Sequence, residues 1–375
     1  VIIHPDNPNS NVLGAGVETD DLIAAISRSG YPLQSDVVDI ITREIPISAY
    51  GPRVLQEEWS YIDRDENTTR QLDALLSFEI ERLEESHKPG LPTSPESYLR
   101  GHLDFLIECK QSELPFVFFV RDADFGNFPI LGGLPFEDIR IYTGQSDPSP
   151  MRMTTYSALA LHDLPFAITP PAAVSMSRVY RKGKSLELSG EEAFRGLALP
   201  VLKALSYYLQ EVTPRSPQLY QDIRTVVPLV VLRAPIVAVK MVNGDPVLES
   251  VPWVRVIHNE PGRGSALDAI GRYAFSGNKA FDVVHVDYLS QYVGHSFMAA
   301  CEVIKRARIF GASMMTGAAT FDFDTATERS KTGSTNGMYA SSLPHFDGEP
   351  NFEKWLERAW RGRSNAPFVA QEPSR

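Results

Sequence analysis

Short apolar runs alternate with polar turns along this chain, and the period of each run separates helix from strand. After an irregular arm over residues 1–18, DDLIAAISRS (20–29) carries a helical spacing and stops at Gly30. PLQSDVVDIITR (32–43) predicts a second helix, with proline in the first turn, where its missing N–H is harmless. VLQEEWSYI (54–62) and RQLDALLSF (70–78) predict two strands joined by the polar turn DRDENTT (63–69). In the first strand, alternation places Gln56, Glu58 and Ser60 on one face and Leu55, Glu57, Trp59 and Tyr61 on the other. Residues 79–102 are charged, hold three prolines and lack a sustained period, so they predict an excursion with a short helix near 95–100.

LDFLIECK (103–110) predicts a third strand, and LPFVFFV (114–120) another short buried piece. Residues 121–170 are loop-rich. Ser189-Gly-Glu-Glu192 is a capping box, with serine at the cap and glutamate three residues later, opening a long helix to about Val212. Further strands are predicted at 225–232, 236–241, 251–258 and 281–286, and a second long helix at 290–308. Beyond Gly311 the apolar density drops, and Trp355 and Trp360 are expected to anchor a last helix. The order of elements predicts an α/β fold with a mixed central sheet flanked by helices. It is divided as a core over 1–310, with the inserted excursion at 79–102, and a C-terminal extension over 311–375 packed on or wrapping that core.

Composition narrows this picture. A chain of 375 residues, 43% hydrophobic and 22% charged, can bury a large core without disulfides or structural metals. Two distant cysteines, Cys109 and Cys301, make a disulfide framework and a zinc cluster poor expectations and favour a reducing cytoplasm. The N-terminal residues lack the pattern of a signal peptide, and no apolar run is long enough to span a membrane. The net charge of −11 argues against a general nucleic-acid coat protein but leaves room for a local basic groove.

The candidate chemistry lies on the second and third strands. Asp73 interrupts an apolar strand, which is costly unless a cation compensates it. Glu108 and Lys110, two residues apart, share a face at the end of the most apolar strand. If the two strands pair, two carboxylates and an ammonium converge into a hard-oxygen site suited to Mg²⁺ or Mn²⁺. The alternative is structural: an ordinary ion pair between Glu108 and Lys110, with Asp73 paired to Arg70. Asp104, on the Glu108 face, replaces Asp73 if the register differs.

With these residues in place, the chain resembles the restriction-endonuclease-like, PD-(D/E)xK, nuclease superfamily. Asp73 matches the first acid and Glu108-Cys109-Lys110 the ExK element, preceded by GYPLQ (30–34), EEWSYID (57–63) and RQLDALL (70–76). Leu72 stands where the superfamily has proline, and the gap from Asp73 to Glu108 is long. The resemblance implies an αβββαβ core, over roughly 20–120 plus the helix at 189–212 and a strand near 225–241. It also implies metal-dependent phosphodiester hydrolysis, with DNA as the expected partner, in defence or repair. Asp73, Glu108 and the Cys109 carbonyl would hold the ion, and Lys110 would act on the attacking water. A catalytically inactive member of the fold, serving as a binding or assembly module, is the alternative, and a homodimer would suit cleavage of two strands.

Other residues have weaker claims. Glu58 is either a third acid near the metal or part of a solvated face. Gln34 is either a phosphate-orienting group or a surface residue. Arg178, Arg181, Lys182 and Lys184, interleaved with Tyr180, form the densest basic cluster, a candidate phosphate contact or a solvated turn before a helix. Asp63-x-Asp65-x-Asn67 begins like a calcium loop, but Thr68 and Ala74 stand at its sixth and twelfth positions, so it predicts a hairpin turn. Cys109, between Glu108 and Lys110, faces the other side of its strand and is expected to pack.

Overall fold

A computed structural model describes residues 16–45, 54–80, 99–121, 129–142, 151–159, 170–215, 221–259, 278–309 and 317–321, together with 338–339 and a few single positions. The expected helix at Trp355 and Trp360 and most of the 79–102 excursion lie outside the described residues.

The fold is α/β, with a large mixed sheet flanked by helices. Two helices, α1 (Thr19–Arg28) and α2 (Tyr31–Glu44), lead into three successive antiparallel strands, β1 (Val54–Asp63), β2 (Thr68–Ile80) and β3 (Leu99–Gln111). β4 (Phe116–Arg121), the short β5 (Ile130–Gly132), β6 (Asp138–Tyr142), β7 (Met151–Thr154) and the one-turn α3 (Thr155–Ala158) follow. The hairpin of β8 (Ala172–Lys182) and β9 (Ser185–Ser189) then feeds a helix in three parts: α4 (Gly190–Ala193), a π-turn over Phe194–Ala198, and α5 (Leu199–Val212). Beyond it lie β10 (Gln221–Arg233), β11 (Ile236–Val242), β12 (Asp245–Ser250), β13 (Trp253–Asn259), β14 (Asn278–His285) and α6 (Leu289–Ile309). β15 (Ala318–Phe321) and β16 (Met338–Tyr339) complete the described elements.

The main sheet runs in the order β1-β2-β3-β10-β14-β13-β8-β4-β11-β12. β10 lies parallel to β3 over its full length, from Gln221 opposite Leu99 to Arg233 opposite Gln111. A parallel neighbour needs a crossover, and the α4–α5 helix supplies it. β3 and β10 are buried on both faces, which is why both read as nearly continuous apolar runs rather than as alternation. β15 and β16 join β6 and β7 in a second sheet, so part of the segment after residue 311 pairs with the strand at 138–142.

Two cores sit on the two faces of the main sheet. One holds Leu33, Val37 and Ile41 of α2 and Leu289, Val303 and Ile304 of α6 against Phe105, Ile107 and Cys109. The other holds Val201, Leu202 and Leu205 of α5 against Leu106, Val226 and Val230. The capping box operates as expected, with the Glu192 N–H donating to Ser189 Oγ at 3.2 Å. The π-turn ahead of α5 has a local cause: Pro200 has no N–H to offer the Gly196 carbonyl, so the ladder is already broken there.

α6 crosses β3 closely enough to demand a glycine. A Cβ added at Gly101 would lie 2.8 Å from Ile304 Cγ1 and 3.0 Å from Ile304 Cβ. Gly101→Ala is therefore expected to destabilise the protein by about 1–3 kcal/mol through overpacking, read as a fall in the urea midpoint at unchanged m-value. A midpoint equal to that of the wild type would show that α6 can shift.

Three expectations need correction. The stretch at 178–184 is not a turn before a helix but a β-hairpin, turning at Gly183 with φ +63°. Residues 99–100 belong to β3 rather than to a short helix, because the pairing with β10 extends to Leu99. The third concerns the faces of β1 and belongs to the site.

Candidate active site

β2 and β3 pair regularly from Ile80 opposite Gly101 to Ala74 opposite Ile107. The next step of that register sets Asp73 opposite Glu108, and there the backbone ladder stops. In its place the Cys109 N–H donates to Asp73 Oδ2 at 2.6 Å. A carboxylate thus substitutes for a ladder carbonyl at the point where the strands part, and it brings Asp73 beside the ExK residues.

The expected faces of β1 are overturned at this same row. Gln34 of α2 donates to Glu57 Oε2 at 3.1 Å on one side of the sheet. Trp59 lies on the opposite side, 6.1 Å from the Tyr207 ring of α5 and 5.6 Å from Tyr61. Residues two apart share a face in a regular strand, so the chain reverses between them. The reversal falls at Glu58, whose φ is +52° and whose place in the ladder is opposite Asp73. β2 reverses in step, with Leu72 in the α5-side core and Ala74 in the α2 and α6 core. Alternation in the sequence gives no sign of this, because a left-handed glutamate is unusual in a strand. Gln34, read as a surface residue or phosphate ligand, is only 4% exposed and braces Glu57. Glu58 itself is exposed.

Lys110 Nζ lies 2.5 Å from Glu108 Oε1, and the glutamate side chain is only 7% exposed. Burial, then repulsion by Asp73, raises the Glu108 carboxyl to about 7 despite the opposing pull of Lys110, and Glu58 adds a smaller push. Asp73 is also raised, by burial, against the Cys109 N–H and Lys110. The Lys110 ammonium is raised by Glu108 and Asp73 against its own burial. The two halves of the pair are consistent: Lys110 meets only attraction, whereas Glu108 also bears desolvation and a second carboxylate.

Neighbouring groups frame the site. The Tyr61 hydroxyl donates to the Pro200 carbonyl at 3.0 Å, and burial pushes it to about 12, with Glu108 contributing. The β1–β2 turn is pinned to α5 by Asp63, which accepts from Arg70 at 2.8 Å and from Lys203 at 3.2 Å. That pairing occupies Arg70, so Arg70 is not the structural partner of Asp73. Asp104, the alternative first acid, is fully buried and bonded to Ser77 at 2.5 Å and to Arg224 at 3.2 Å, which assigns it to a structural network. Cys109 packs in the α2 and α6 core, as expected. The basic cluster is not brought to the acids: β8 lies four strands from β3 in the sheet order. Arg178 there pairs with Glu192 at 3.5 Å and Lys182 with Glu187 at 3.3 Å.

Chemically, two carboxylates raised by burial and by each other are short of positive charge. A divalent cation held by Asp73, Glu108 and a backbone oxygen would relieve both, and hard oxygen ligands suit Mg²⁺. Among the described residues no group of three His, Cys, Asp or Glu side chains is placed to hold an ion, so the donor set would depend on the Cys109 carbonyl or on a moved Glu58. The titration gives a test. A carboxyl raised in the folded state contributes stability at acid pH that is lost as pH rises through its folded value. Metal-free protein is therefore expected to lose thermal stability between about pH 5 and pH 8 through Glu108. Mn²⁺ is expected to restore it at pH 8 but not at pH 5, and Glu108→Gln to flatten the slope. A wild-type profile identical to that of Glu108→Gln, with and without Mn²⁺, would contradict this.

No helix among the described residues is long and apolar enough to cross a membrane. Comparison with family models, with curated proteins and with solved structures found no match to this chain, so the site is interpreted from its own geometry.

Proposed function

We propose that this chain is a metal-dependent nuclease, with a restriction-endonuclease-like core, that hydrolyses phosphodiester bonds in DNA. The observation that carries the proposal is the meeting of Asp73 with Glu108-Cys109-Lys110 through the 2.6 Å bond from the Cys109 N–H. The order α2, β1, β2, β3, α5, β10 supports it, since three antiparallel strands followed by a helical crossover to a parallel fourth is the αβββαβ arrangement the resemblance implies. Asp73 and Glu108, with the Cys109 carbonyl, would hold Mg²⁺ or Mn²⁺. The bound ion would supply an acidified water and neutralise charge on the phosphate. Lys110 would orient that water and stabilise the developing phosphorane charge, while the buried flank of Glu108 keeps the carboxylate from bulk solvent. Glu58, opposite Asp73, would add a third carboxylate at the rim.

A second reading, a catalytically inactive fold member that binds nucleic acid, is favoured by the closed contact of Lys110 on Glu108, which pairs the acid without a metal. A panel of duplex, branched and single-stranded DNA and of RNA, incubated with Mg²⁺ and with EDTA, separates the two. The nuclease reading expects cleavage of a DNA substrate that EDTA abolishes. Binding without cleavage under either divalent ion supports the inactive module instead.

A further inference from the structure

α1 contributes nothing to either core. None of its residues is buried, yet Leu22, Ile23 and Ile26 form one apolar stripe, at 38%, 55% and 49% exposure. Val17 at 44% exposure and Tyr31 at 65% lie just before and just after this helix. An exposed apolar patch rimmed by charge marks an interaction surface. The helix is also held in place: Gln111 Nε2 donates to the carbonyls of Arg28 at 2.7 Å and Ser29 at 2.9 Å. Its C-terminal end is thereby fastened to the end of β3, one residue beyond Lys110.

The charge pattern selects the occupant. Asp21 and Arg28 are seven residues apart, about two turns, so they flank the stripe on the same side but lie about 10 Å apart along the axis. That separation is too great for an ion pair within the helix. In an antiparallel pair of identical helices about a twofold axis, flanks of the same side face each other. Each Asp21 then meets the partner's Arg28, Ile23 meets the partner's Ile26, and the small Ala24 and Ala25 fall at the crossing. A parallel arrangement would oppose Asp21 to Asp21 and Arg28 to Arg28. Each acid also sits in the first turn and each base in the last, where the helix dipoles favour them.

We propose that the α1 stripe is a homodimer interface, formed by antiparallel docking of α1 on α1 of a second copy. The contact is isologous, as a twofold requires. A ten-residue helix is about 15 Å long, so the interface is small and the dimer weak, in the micromolar range. The proposal does not depend on the nuclease reading.

Sedimentation equilibrium of the full chain tests it. Wild type is expected to dimerise across the micromolar range, Ile23→Glu and Asp21→Arg to be monomeric, and Asp21→Arg combined with Arg28→Asp to regain the dimer. Because α1 is outside both cores, the thermal stability of dilute monomer should not change in any variant. A wild type that stays monomeric, or a dimer indifferent to Ile23→Glu and Asp21→Arg, overturns the proposal. So does a monomeric wild type that sediments with anionic lipid vesicles, which would reassign the stripe to a membrane surface.

Discussion

Replacing Lys110 by alanine is expected to lower Mg²⁺-dependent cleavage by roughly 10²–10⁴-fold, the range for loss of a group that assists proton transfer in the transition state. DNA affinity should be unchanged, because the basic cluster and the bulk of the surface are untouched. The fold should tolerate the change. Lys110 is partly exposed, and the Glu108 carboxyl it leaves behind is raised to about 7, so loss of the ammonium drives it toward its neutral form rather than stranding a buried charge. Asp73→Asn separates the roles further. Asparagine keeps an acceptor for the Cys109 N–H, so strand geometry should survive while metal-dependent activity is lost. Full activity in Lys110→Ala, measured on a substrate that wild type cleaves, would remove the lysine from the mechanism. A collapse of secondary structure in Asp73→Asn would instead show that the carboxylate serves mainly to close the sheet.

The largest stability effect is expected away from the site, at Asp282. Its side chain is fully buried on β14, directly opposite Arg255 of β13. Arg255 Nε and Nη2 donate to its two oxygens at 2.8 and 3.0 Å, and the Tyr292 hydroxyl of α6 donates at 2.8 Å. The Arg255 guanidinium also lies 5.7 Å from the Trp253 ring, and Trp253 meets Tyr292 edge-on at 5.1 Å. This cluster fastens α6 to the sheet. Asp282→Ala removes the common acceptor and leaves a guanidinium with little solvent to replace it, so a loss of about 3–5 kcal/mol is expected. Asp282→Ala with Arg255→Met should recover much of it, since an apolar replacement of the whole pair is often neutral. Chemical denaturation of the four proteins of this cycle checks both. A single-variant loss below about 1 kcal/mol would place the pair among exposed ion pairs, which contribute little.

The elements that sequence patterning located best are those whose burial is local. The α2 helix, the β1 and β2 strands, the capped helix ending at Val212 and α6 fall within a few residues of their expected bounds, because apolar period and cap chemistry act over one or two turns. The meeting of Asp73 with Glu108 and Lys110 was legible as well, because a carboxylate inside an apolar strand and an ExK at the end of another both need compensation. The reversal at Glu58 was not legible. It arises because Gln34 of α2 holds Glu57 on one face while the Tyr207 and Tyr208 rings of α5 hold Trp59 on the other, and these helices lie far apart in sequence. Arg70 illustrates the same limit. Its sequence neighbours made it a partner for Asp73, but Asp63 and Lys203 form the pinning network that claims it.

By itself, the sequence determined the class of fold, the order of its helices and strands, and the residue types able to hold a hard cation, because propensity and hydrophobic period are properties of short segments. Only the tertiary structure decided which strands are neighbours, that Asp73 turns its carboxylate onto the Cys109 N–H, that the basic hairpin stands four strands from the acids, and that α1 leaves an apolar stripe uncovered. Those outcomes depend on pairing and packing between residues tens to hundreds of positions apart, where the cost of desolvating a charge or an N–H is settled by the whole sheet.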